Sequence, residues 1–162
     1  MIPMTMPPAR PGFIEAIATT GQSDEARRLQ ALVGEIRDQQ SVRAIFADLD
    51  AACSEAAVED WNGHGGLAVQ PGSFRYARSL LAVLLLAGLE PEITVDADGE
   101  VEFDWLASAQ RGLSLSVGAD GRLTFAWADG LRRGHGTEWF TGGIPAPLAA
   151  ALGDVTRAGG SA

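Results

Sequence analysis

The sequence predicts an α+β protein, an antiparallel β-meander of four or five strands with amphipathic helices packed on its apolar face. Three observations carry this expectation. An eleven-residue block occurs twice, as VDADGEVEFDW from Val95 and as VGADGRLTFAW from Val117, 22 residues apart with six identical positions. Both copies set Ala-Asp-Gly between alternating apolar residues, which suits a hairpin whose turn closes on a left-handed glycine. Upstream of the blocks, apolar residues recur at helical spacing, and these segments are the available cover for a sheet with one apolar face.

Residues 1–12 hold four prolines and read as a loose N-terminal arm. One domain is expected over residues 13–153, with a disordered tail at 154–162. A helix start is read at Ser23-Asp24-Glu25, where an N-cap residue precedes acidic residues that suit the helix dipole. Ala26, Leu29, Val33 and Ile36 mark one face, and Val42, Ile45, Phe46, Leu49, Cys53 and Ala56 form a second phase. Gln39-Gln40-Ser41 lies between the phases, so two helices are favoured over one. Trp61-Asn62-Gly63-His64-Gly65-Gly66 ends this region. Ser73 is expected to cap a further helix to about Ala87, with Phe74, Ala77, Leu80, Leu81, Leu84 and Leu85 as its buried stripe.

The meander is expected over residues 92–128. With Ala97-Asp98-Gly99 as the first turn, Val95 faces Val101, Thr94 faces Glu102, Ile93 faces Phe103 and Glu92 faces Asp104. Ile93, Val95, Val101, Phe103 and Trp105 then share a face. The same register in the second copy sets Val117 opposite Leu123, Leu115 opposite Phe125 and Leu113 opposite Trp127. Ala128 to Gly134 reads as a turn or loop, Gly136 to Phe140 as a possible fifth strand. Pro145 opens a last short helix that Gly153 should stop.

Charge and cysteine content narrow the function classes. The net charge is −9, and all 12 basic residues are arginine. Such a balance argues against nucleic-acid binding, which needs a basic footprint for phosphates. It favours attraction to basic proteins. Cys53 is the single cysteine, so no intrachain disulfide forms. The N-terminus lacks the charged and apolar regions of a signal peptide, and the most apolar run is short of the roughly 20 residues a spanning helix needs. A cytoplasmic location with no membrane partner is the expectation.

No strong catalytic or ligand motif stands out. Asp96, Asp98 and Gly99 have the spacing of a calcium loop, but Thr94 and Trp105 stand where its anchoring ligands belong. Gly63 to Gly66 lacks the lysine and the preceding strand of a phosphate cradle. Cys53 lies on an apolar stripe, where a thiol behaves as a small hydrophobe. His64, His135 and Glu138 have no diagnostic metal spacing. Catalytic, cofactor and metal residues are therefore expected to be none. The acidic run is more pointed. Glu90, Glu92, Asp96, Asp98, Glu100, Glu102 and Asp104 fall within fifteen residues that contain no basic residue. Like charges face each other at Glu92/Asp104 and Asp96/Glu100, at a cost on the order of 0.2–1 kcal/mol per pair.

Trp61-Asn62-Gly63-His64-Gly65, Pro91-Glu92-Ile93 with Asp98-Gly99-Glu100, Leu113-Ser114-Leu115-Ser116 with Asp120-Gly121, and Gly142-Gly143-Ile144-Pro145 together resemble a group of small bacterial proteins of unknown function. The resemblance spans about residues 60–150. In that group the opening motif usually reads Trp-Asp-Gly, and here Asn62 replaces the acid. The resemblance implies no activity and no site.

The function expected is a non-enzymatic protein-binding module in an antitoxin, immunity or defence-accessory setting. Glu92, Asp96, Glu100, Glu102 and Asp104 would meet a basic partner. The alternatives are a small hydrolase or metal-dependent enzyme using His64, His135 and Glu138, and a structural subunit that oligomerises through N-terminal helices.

Overall fold

A computed structural model describes residues 12–157, with side-chain surroundings from Asp24 onward. The expected N-terminal arm, apart from Gly12, and the final AGGSA segment lie outside the described residues. The elements are α1 (Gly12–Glu55), α2 (Pro71–Leu86), β1 (Glu92–Val95), β2 (Val101–Ser108), β3 (Arg111–Val117), β4 (Arg122–Asp129), β5 (Arg132–Trp139) and α3 (Ala146–Thr156). The strands form one antiparallel meander in the order β1-β2-β3-β4-β5, so the α+β architecture holds. Among the described residues the chain divides after Ser41 into two units, and the unit from Val42 onward holds α2, the sheet and α3.

Residues 12–55 form a single helix of 44 residues, not two helices, and it begins eleven residues before the expected Ser23 start. Glutamine is a good helix former and neither glycine nor proline interrupts residues 35–55, so the Gln39-Gln40-Ser41 segment changes the phase of the apolar stripe without breaking the backbone. Burial follows the phase. Leu29, Val33 and Ile36 are exposed, whereas Leu49, Cys53 and Ala56 are buried. Among the described residues no helix is long and apolar enough to cross a membrane.

The second unit is built around the two repeats. Their register is the one the sequence dictates, from Glu92 opposite Asp104 to Val95 opposite Val101, and from Leu113 opposite Trp127 to Val117 opposite Leu123. Alternation then buries Val95, Val101, Phe103, Trp105, Leu113, Leu115, Val117, Leu123 and Phe125 on one face. Leu49 of α1, Leu80, Leu81 and Leu84 of α2, and Leu148, Leu152 and Val155 of α3 complete the same core. Full burial of each such side chain contributes roughly 1.5–3 kcal/mol before the entropy of ordering is set against it.

Both repeat turns close on glycine in the left-handed region, at φ 75° for Gly99 and 86° for Gly121. Each turn also docks on the segment that leads into α2. The Leu67 and Gln70 amides donate to the Ala97 and Gly99 carbonyls, both at 2.9 Å. A side chain at Gly99 would strike the Ala68 carbonyl, and one at Gly72 would strike the Ala119 carbonyl. Ser73 does not cap α2, whose N-cap is Gln70. Its buried hydroxyl instead donates to the Val117 carbonyl at 2.6 Å and accepts the Val101 amide at 2.7 Å. One side chain thereby ties the start of β2 to the end of β3, at residues that pair with each other across the two strands.

Two further boundaries differ from expectation. The supposed loop from Ala128 to Gly134 is the fourth hairpin of the meander, in which Asp129 pairs with Arg132 around Gly130 at φ 65°. The two-residue loop is Gly130-Leu131, and a glycine in its first position supplies the positive φ that a tight hairpin turn needs there, which extends β4 and β5 into what read as loop. At the C-terminus α3 passes through Gly153 to Thr156, because Val155 is buried and its burial outweighs the weak helix propensity of one glycine. Arg132 pairs with Asp154 at 3.4 Å and Arg111 with Asp129 at 3.3 Å, while the Arg111 side chain donates to the Arg157 carbonyl at 2.9 Å, so α3 is tied to the end of the sheet.

Candidate functional site

The helices cover one face of the sheet, and the other face is open. Its side chains follow from the registers, which align residues across strands in rows. One row crosses all five strands as Glu92, Asp104, Ser114, Ala126 and His135. On one side of it lie Leu106, Gly112, Ala128 and Arg133. On the other lie Thr94, Glu102, Ser116, Thr124 and Thr137, followed by Arg122 opposite Trp139. The middle of this face is therefore made of small residues on β3 and β4. A depression of about 490 Å³ opens there, lined by Glu92, Asp104, Leu106, Ser114, Ala126 and Ala128 among others.

The five expected binding carboxylates do not share one role. Glu92, Glu102 and Asp104 stand on the open face by register, and Glu92 is exposed while Glu102 and Asp104 are partly buried. Asp104 accepts a hydrogen bond from the Ser114 hydroxyl, so its position is set by β3 rather than by repulsion from Glu92 alone. Asp96 is turned inward on its own loop, where Oδ1 accepts the Asp98 amide at 2.9 Å and the Glu100 amide at 3.0 Å. It holds the turn. Glu100 reaches across Gly118 to Arg122 at 3.4 Å, a cation that lies outside the acidic segment in sequence.

Burial shapes the charge on this face. Glu102 is held above the usual glutamate range by desolvation first, then by Asp104 and Asp96. Glu100 is also raised, by desolvation and Asp96, with Arg122 opposing and Asp98 and Asp120 adding to the rise.

The opposite half of the face was not foreseen. Arg133 and His135 on β5 and Arg122 on β4 project on the same side as Glu92, Glu102 and Asp104, so the face carries carboxylates along β1 and β2 and two arginines and a histidine along β4 and β5, with Arg122 paired to Glu100. The signal lay in the Gly130-Leu131 turn, which fixes the parity of every residue in β5. Gly134 and Gly136 confirm that parity. A side chain at either would lie 2.6 Å from the Trp127 or Phe125 ring on the covered side.

The residues considered for catalysis are not assembled. His135 is opposite Ala126 and Glu138 is opposite Leu123, which places them on opposite faces of β5. His64 belongs to the loop after α1. Among the described residues no three His, Cys, Asp or Glu side chains are grouped to hold a metal ion. Cys53 is buried, and desolvation with the nearby Asp50 pushes its thiol up to about 11, so it stays protonated at neutral pH. In the Asp60–Gly66 loop the amides are satisfied from within. Asn62 Oδ1 accepts the His64 and Gly66 amides at 2.9 and 3.0 Å, and Asp60 Oδ1 accepts that of Gly65 at 2.6 Å. These contacts occupy the donors a phosphate cradle would offer, and Asn62 acts through an acceptor oxygen that aspartate also carries. Trp61 packs against the core, with its indole N–H on the Leu67 carbonyl at 3.1 Å.

The open face is thus the most developed candidate for function, a broad surface with small residues at its centre and opposite charges at its two sides. Comparison with protein-family models, curated proteins and solved structures finds no match to this chain.

Proposed function

We propose that this protein acts by binding another protein through the open face of its sheet, with Glu92, Glu102 and Asp104 meeting basic groups of the partner. The observation that carries this is the uncovered face itself. A five-stranded sheet with three helices on one side leaves a surface whose central residues are small enough for close approach. The charge of Glu100 is offset by its pair with Arg122, while Asp96 contributes by shaping the turn. An antitoxin, immunity or defence-accessory setting accords with the small size and the net charge of −9.

The test is capture from the native host with the wild-type chain and with the Glu92→Gln, Glu102→Gln, Asp104→Asn triple variant. A captured protein should be retained by the wild type, lost by the triple variant, and released more readily as salt rises, since opposite patches are screened by ions. Retention by both chains at equal affinity and equal salt dependence would return these carboxylates to ordinary solvated surface.

A further inference from the structure

Strand β2 outruns β1. Val101 to Asp104 pair with β1 on one side and with β3 on the other, but Trp105, Leu106 and Ser108 pair with β3 alone. Pro91 accounts for this, because it has no amide to donate and stands immediately before β1 begins at Glu92. An edge of the sheet is left open beside Leu106, which is 75% exposed. Alternation fixes what that edge offers. The Asp96 amide donates to the Glu100 carbonyl at 2.9 Å, so the pairs two and four steps on, Thr94 with Glu102 and Glu92 with Asp104, turn their backbone groups toward each other. Next in the series is Leu106, whose N–H and C=O face the position that β1 leaves empty.

We propose that this edge takes an extended segment of the partner protein, an apolar-basic-apolar triplet added as a strand against Leu106. This rests on the reading of the protein as a binder of basic partners and names the form in which the basic group arrives. A groove of about 430 Å³ lies at the edge, within the roughly 300–1,000 Å³ of ligand sites. Residues that face each other across a ladder share a side, so the residue opposite Leu106 points to the open face, beside Glu92 and Asp104. Its two neighbours point to the covered side, where Ile45, Trp105 and Val155 line the groove. Glu90, Glu92 and Asp104 line it as well and no arginine does, and among the described residues none of the three carboxylates is in an ion pair. Three carboxylates without a cation select arginine or lysine at the middle position. The Trp105 indole N–H is the one buried side-chain polar atom without a partner among the described residues, and a carbonyl of the incoming segment supplies its acceptor.

The bound segment is short. The β2–β3 register shifts between Leu106 and Ser108, so the edge is regular only around Leu106. Backbone pairing at one residue gives the strand its place, the side-chain alternation gives it specificity, and the carboxylates make it sensitive to salt.

The probe is the blocked peptide acetyl-Ser-Val-Arg-Val-Ser-amide, titrated into the full-length chain and followed by NMR. The Leu106 amide and the Trp105 indole resonance, assigned with Trp105→Phe, should shift together and saturate with a dissociation constant of about 1 mM or less. Replacing the peptide's arginine by glutamate, or methylating that arginine's backbone nitrogen, should each weaken binding by about tenfold. Leu106→Pro removes the edge donor and should weaken binding as much. Its amide faces away from β3, so the variant should stay folded by circular dichroism; if it unfolds, the methylated peptide applies the same test to the wild-type chain. Glu90→Gln with Glu92→Gln should flatten the salt dependence. No saturable shift at these two resonances overturns the proposal. Equal binding of the methylated peptide also overturns it, since charge attraction alone would then suffice. Equal binding of acetyl-arginine amide would make the groove a site for a small organic cation instead. Capture separates this proposal from the reading beneath it. A host protein retained by Leu106→Pro but lost by the Glu92→Gln, Glu102→Gln, Asp104→Asn variant sinks the added strand and leaves the open face standing. Peptide binding at the edge, with capture indifferent to that triple variant, sinks the open face and leaves the edge site.

Discussion

Glycine and serine positions govern the packing of the repeat turns, and they do so for different reasons. Gly99 combines a left-handed φ of 75° with a backbone approach to Ala68 that leaves no room for a side chain. Gly121 has a similar φ, but its neighbour is the Tyr76 ring, at 3.0 Å from where a Cβ would stand. A ring can shift where a hydrogen-bonded backbone cannot. Gly99→Ala should therefore destabilise by about 2 kcal/mol or more, and Gly121→Ala by about 1 kcal/mol, in chemical denaturation. Equal losses would show that conformation alone governs both sites. Ser73→Ala removes the hydroxyl between Val101 and Val117 and leaves an amide and a carbonyl buried without partners. A cost of about 1–3 kcal/mol is expected from urea midpoints at unchanged slope. Ser73→Thr offers the same hydroxyl and should recover part of that loss if the site admits one methyl group.

Among the elements, β5 shows how a strand of low intrinsic propensity is held. Its Gly134 and Gly136 carry no side chains to pack, yet their absence lets Trp127 and Phe125 of β4 spread over the edge strand. Arg132 stacks on the Trp127 ring at 5.5 Å and continues to Asp154 of α3, so the edge is covered from the helix side as well. Gly136→Ala should force the Phe125 ring out of place and cost about 1–3 kcal/mol, the range for overpacking a close-fitted core. Thermal melts of this variant beside Thr137→Ala, on the exposed face of the same strand, separate the packing effect from strand propensity. The exposed substitution should change stability by no more than about 0.5 kcal/mol.

Across the whole molecule, the raised carboxylates make stability respond to pH. Glu100 and Glu102 bind protons more readily when folded than their ordinary value of 4.5 implies. Their contribution is fully present below that value and is lost as pH rises through the raised folded values. Glu102→Gln removes the response at one site. In dilute protein the variant should melt above the wild type at pH about 7, by a few tenths of a kcal/mol, with the gap closing by pH about 4. A gap that persists at the lower pH would assign the effect to packing instead of charge. The open face thus carries an electrostatic strain in the free chain that a basic surface would relieve.

Local pattern by itself determined the duplicated hairpins, their register and the identity of the apolar face. Period-two alternation and an Asp-Gly turn act over a few residues, and a slip by one position would turn every core side chain to solvent. The acidic half of the open face was legible for the same reason, because Glu92, Glu102 and Asp104 lie in one hairpin. Tertiary structure alone decided the rest. That Ser73 serves the sheet instead of its own helix depends on two strand ends 28 and 44 residues away. The continuity of α1 depends on competition between a polar segment and a helical backbone, which a change of stripe phase does not resolve. The Glu100–Arg122 pair and the joining of Arg133 and His135 to the same face arise from strands stacked across the sheet, where charges distant in sequence become neighbours. Sequence proximity displayed an acidic surface; the folded sheet made it bipolar, because face and level are properties of the ladder and not of any one strand.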